Sequence, residues 1–74
     1  MYPKEAINAI MTKRGMNQGD FVEPMGMKHQ SAVSQALNRD MRISMLLRFL
    51  NVLDCDLIVR EREDGTEWKL EANT

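Results

Sequence analysis

Ser31, Ser34, Gln35 and Asn38 fall at i, i+3, i+4 and i+7, a spacing that puts four uncharged hydrogen-bonding side chains on one side of a helix. Gln30 precedes them by one residue. Amides and hydroxyls offer the paired donors and acceptors that reading base edges in a DNA major groove requires. The same stripe is also what the solvated face of an ordinary amphipathic helix looks like.

Other reactive side chains are few. His29 is the sole histidine and Cys55 the sole cysteine. They are distant in sequence, and no second histidine or cysteine completes a metal-ligand set. His29 has three readings: a base contact, a pH-sensitive group or a helix-start residue. Cys55 reads as a small filler at a helix-to-strand junction. No serine or cysteine has a histidine and a carboxylate in a plausible arrangement, and no glycine-rich phosphate loop is present. The expectation is therefore no enzyme, no cofactor, no metal and no small-molecule ligand.

The elements that position the stripe follow from hydrophobic period and capping. Pro3 suits a first helical turn, Ala6, Ile7, Ile10 and Met11 share a face, and Lys13, Arg14 and Gly15 form a helix end. Asn17 then caps a short second helix with Asp20 in its first turn and Phe21, Val22 and Met25 as its apolar side. Pro24 conflicts with that helix, so a kink or early ending near Glu23 is expected. Gly26 supplies the turn into a third helix over 29–38, with Val33, Ala36 and Leu37 inward. A fourth helix from about Arg42 is expected to bury Ile43, Leu46, Leu47, Leu50 and Leu53, with a left-handed exit at Asp54. Met11, Met25, Met41 and Met45 read as core fillers.

Near Asp56 the period switches to alternation. Residues 56–62 and 66–71 flank Asp64-Gly65, a strong hairpin signal. With those two as the whole loop, Glu63 faces Thr66, Glu61 faces Trp68 and Val59 faces Leu70. Leu57, Val59, Trp68, Leu70 and Ala72 then share the apolar face. Trp68 is expected to pack there against the helices or a second subunit.

Length and charge bound the rest. A chain of 74 residues holds one domain whose core supplies roughly 3 to 5 kcal/mol. The expected organisation is a helical unit over 1–55 and a hairpin over 56–74 in the same compact domain, helped by a homodimer. Leu57, Val59, Trp68 and Leu70 are the expected dimerisation residues, since an apolar hairpin with a free edge can pair with a twin. A single cysteine and the lack of a long apolar run point to a cytoplasmic protein without a membrane span. The net charge is -1, but residues 1–53 carry seven basic and four acidic side chains and residues 54–74 three basic and seven acidic. An anionic partner should meet the body, at net +3, rather than the tail, at net -4.

Gln18 opening the second helix, Gly26 in the turn, and Val33, Ala36 and Leu37 anchoring the third helix carry a family likeness. The stretch MNQGDFVEPMGMKHQSAVSQALN resembles the helix-turn-helix of the lambda repressor-like, or XRE, family, which includes repressors and Cro-type proteins of phages and mobile elements. The likeness covers residues 4–54. It departs at Pro24 and in a Gly26-to-Val33 gap one residue longer than usual. It implies a mainly α fold, a four-helix domain with the hairpin appended, and a transcriptional regulator that binds double-stranded DNA as a repressor. Carried over residue by residue, His29, Gln30, Ser31, Ser34 and Gln35 contact bases and Gln18 holds a phosphate. Lys28, Asn38, Arg39 and Arg42 flank the recognition helix as further phosphate contacts. The competing reading, from a different class, is a protein-interaction module or antitoxin-like factor that keeps the helix-turn-helix as a scaffold.

Overall fold

The computed structural model describes residues 1–71 and contains three α-helices, one short 3-10 helix and an antiparallel hairpin. Helix α1 spans Pro3–Arg14. Its end is a left-handed Gly15 at φ 65°, with Gly15 N–H donating to the Thr12 carbonyl and Met16 N–H to the Met11 carbonyl. Those bonds satisfy carbonyls that the helix leaves open.

Where a second α-helix was expected, the chain forms a four-residue 3-10 helix, Gln18–Phe21, followed by turns to Gly26. Its start is as the sequence implies: the Asp20 carboxylate accepts the Asn17 N–H at 2.9 Å. Pro24, which has no N–H to donate, stops the helix from continuing. The winding is closed by Met25 N–H on the Phe21 carbonyl, Met27 N–H on the Val22 carbonyl and Gly26 at φ 65°. The four-helix expectation is thus corrected to three α-helices and a 3-10 turn.

Helix α2 spans Gln30–Leu37, with His29 and Asn38 flanking it. Helix α3 spans Ile43–Val52. It ends in a left-handed Asp54 at φ 54°, where Cys55 N–H donates to the Leu50 carbonyl and the Arg14 guanidinium donates to the Leu53 carbonyl. The short polar side chain of an aspartate tolerates that backbone region better than a branched one.

The core draws on every helix: Ile7 and Met11 from α1, Phe21 and Met25 around the 3-10 helix, Val33 and Leu37 from α2, Phe49 and Leu53 from the α3 region. At its centre the Phe21 and Phe49 rings meet edge to face, centroids 5.2 Å apart. Phe49 was not among the expected core residues, yet it is fully buried, while Ile43, expected inside, is 58% exposed. Helix α3 is apolar over most of its circumference, so period alone does not identify its inward side. Arg48 further fixes its rotation by donating to the Met25 carbonyl.

Strands β1, Leu57–Arg60, and β2, Glu67–Leu70, pair antiparallel with Leu57 opposite Leu70 and Val59 opposite Trp68. This register is two residues from the expected one. A two-residue type I′ loop needs positive φ at both loop residues, and Gly65 has it at 77° whereas Asp64 does not. Instead the Asp64 carboxylate accepts the Thr66 N–H at 2.9 Å, and Glu61 N–H donates to the Thr66 carbonyl at 2.8 Å. The loop is therefore the four residues 62–65. A shift of two preserves side-chain parity, so Leu57, Val59, Trp68 and Leu70 still share one face; Ala72 lies outside the described residues.

Candidate nucleic-acid interface

Buried Val33 and Leu37 set the rotation of α2 and turn its opposite side outward. Gln30, Ser31 and Gln35 are exposed there, and Ser34 is half-buried beside them. Helix α2, eight residues long, is like any α-helix about 10–12 Å across with its side chains, a diameter that a B-DNA major groove roughly 12 Å wide admits.

At the N-terminal end of α2, Gln18 is half-buried as the first residue of the 3-10 helix, and Lys28 is exposed. Gly19 lies against the Gln30 side chain, since a Cβ there would sit 3.3 Å from Gln30 Oε1. That approach sets the Gln30 amide beside Gly19, the chain neighbour of Gln18. His29, in extended backbone before α2, shares a hydrogen bond with the Ser31 hydroxyl. Both are thereby held at the helix entrance.

At the C-terminal end, Asn38 donates to the Ser34 carbonyl at 2.9 Å and lies 3.3 Å from the Ser34 hydroxyl. Its Oδ1 accepts from Lys4 of α1. Asn38 and Ser34 are therefore partly occupied within the protein, and Lys4 joins the site without having been expected there. The pair is 34 residues apart, so no local pattern announces it. Arg39 and Arg42 line one shallow cleft of about 260 Å³ with Ser44 and Asp40. Lys4, Asn38 and Arg39 line the neighbouring one.

Charge is distributed to suit an anion. Lys28, Arg39 and Arg42 are exposed, and among the described residues the ion pair within 4 Å is Lys69 with Asp56, in the hairpin region. Basic side chains thus stand free at both ends of an uncharged face. The expected dimerisation residues lie elsewhere: Val59 and Trp68 are 47% and 49% exposed, and Leu57 and Leu70 are half-buried at the base of the hairpin. Compared with protein-family models, curated proteins and solved structures, the chain matches none.

Proposed function

We propose that this chain is a sequence-specific double-stranded DNA-binding regulator of the lambda repressor-like type, acting as a repressor and reading the major groove with α2. One observation carries the reading: an exposed, uncharged hydrogen-bonding face, Gln30, Ser31 and Gln35, bracketed by Lys28 at one end and by Arg39 and Arg42 at the other. Side chains that pair with base edges occupy the middle, and cations that neutralise phosphates occupy the flanks. The 3-10 helix and the Gly26 turn take the place of the usual first helix of the motif, and the core holds them against α2.

The reading requires that the chain select particular duplexes from a random pool and that affinity fall steeply with salt. Selection with the purified chain, followed by titration at several salt concentrations, tests both. No enrichment, together with binding indifferent to salt, rejects a DNA-reading role and favours the protein-interaction alternative.

A further inference from the structure

Gly15, Gly26 and Gly65 sit at φ 65°, 65° and 77°, and a Cβ added at any of them would meet nothing within 4 Å. Backbone conformation alone accounts for them. Gly19 is the reverse case. Its φ lies outside the left-handed region, so an L side chain fits the backbone, yet the space for one is taken. A Cβ there would sit 3.0 Å from Asn17 Oδ1, 3.3 Å from Gln30 Oε1 and 4.0 Å from Gln30 Cδ. Glycine inside a helical turn is destabilising relative to alanine, and here no special backbone geometry offsets that loss. The crowding atoms belong to two side-chain amides, one of them on the exposed first residue of α2.

We propose that Gly19 is a positioning residue for base recognition: by lacking a side chain it lets the Gln30 amide rest against the 3-10 helix, which fixes the aim of that amide at the entrance of α2. The inference rests on the DNA reading of α2 given above. Glutamine is among the side chains with the most rotamer freedom to lose on being ordered. An amide already leaning on a packed turn gives up less of it on meeting a base edge, so the contact is preorganised. A Cβ at position 19 displaces Gln30 Oε1, the acceptor half of the bidentate pair that a glutamine offers adenine. The turn itself is tied at its start, where Asn17 N–H donates to the Asp20 carboxylate at 2.9 Å and Asp20 N–H to the Asn17 carbonyl at 3.1 Å. Both crowding amides are the outer ends of flexible side chains, so an added methyl is accommodated by moving them and not by opening the turn. Gly19 therefore serves aim and not stability.

The test compares the full chain with Gly19→Ala, Gln30→Ala and the double variant, each titrated against the duplex that the unaltered chain selects from a random pool and against mixed-sequence DNA. Gly19→Ala should keep or raise the melting temperature, because alanine at an ordinary φ restricts the unfolded chain. The same variant should bind the selected duplex about 5-fold or more weakly, with relaxed preference at the base pair that Gln30→Ala also relaxes. Its affinity for mixed-sequence DNA should stay the same, since phosphate contacts carry no sequence information. Adding Gly19→Ala to Gln30→Ala should change nothing further, because a residue that acts through another is not additive with it. Unchanged affinity and base preference in Gly19→Ala overturn the proposal, as do additive losses in the double variant. A lowered melting temperature with equal losses on every duplex overturns it too, and leaves Gly19 serving the turn alone. An unaltered chain that selects no duplex rejects the DNA reading and this proposal together, whereas a selective unaltered chain with an indifferent Gly19→Ala rejects the proposal alone.

Discussion

Lys4 donates to Asn38, and through that bond the first turn of α1 holds the residue that closes α2. Lys4→Met keeps the length of the side chain and removes the donor. The melting temperature should fall only slightly, because an exposed hydrogen bond is worth about 0.5 to 1.5 kcal/mol at most. Asn38→Ala removes the bonds to Ser34 as well and should cost more. If both variants leave DNA affinity unchanged, Lys4 and Asn38 serve the scaffold alone.

Gln35 is the exposed amide nearest the middle of the proposed reading face. Gln35→Ala should leave the fold intact, since alanine is the better helix former. Specific binding should weaken by roughly 1 to 3 kcal/mol, with relaxed preference at one base pair. Gln18→Ala should weaken binding to all sequences alike. The measurement is a titration of each variant against the selected duplex and its single-base changes, and an unaltered base preference for Gln35→Ala removes α2 as the reading helix.

Salt gives an independent check. If Lys28, Arg39 and Arg42 each meet a phosphate in two copies, roughly six are neutralised and log K should fall against log salt with a slope of about -5. Replacing Arg39 with glutamine should reduce the slope by close to two. A flat response would place the basic residues outside the interface.

Phe49 tests the core. Phe49→Ala should remove about 3 to 5 kcal/mol, which equals the whole stability expected of so small a core. Cooperative thermal unfolding should disappear. Phe49→Leu should retain it with a lowered midpoint, and calorimetry distinguishes the two.

The Asp64 carboxyl is held below its ordinary value near 3.8, first by the Thr66 backbone N–H and then by the Thr66 hydroxyl. A depressed folded value means that its contribution is complete above the unfolded value and disappears as pH falls through the folded one. Trp68, the sole tryptophan, sits in the same hairpin and reports the change. Its fluorescence should titrate below the usual aspartate range, and Asp64→Asn, which keeps the acceptor but cannot titrate, should abolish that step.

Much of this arrangement was legible in the sequence, and the exceptions have distinct physical causes. Gly15 and Asp54, read as left-handed helix ends, and Gly26, read as a turn, all have positive φ, because local backbone sterics decide those positions. Val33 and Leu37 were read as inward because α2 has one apolar side. Phe49 and Ile43 were misjudged because α3 has almost no polar side to exclude. The hairpin register slipped because Asp64 spends its carboxylate on Thr66 and forgoes the positive φ that a tighter loop demands. At the candidate site, the polar face of α2 was visible as a stripe, whereas the Lys4–Asn38 bond is purely tertiary.

Helix α2 buries Val33 and Leu37 completely or nearly so and leaves Gln30, Ser31 and Gln35 outside. Ser34, half-buried and bonded to Asn38, lies between the two sides, and the exposed positions are not among the core residues. Outward positions can therefore drift through evolution at little cost to folding, since exposed substitutions rarely move stability by more than about 0.5 kcal/mol. A lineage built on this frame could change what it recognises by successive single replacements, each step passing through a folded intermediate.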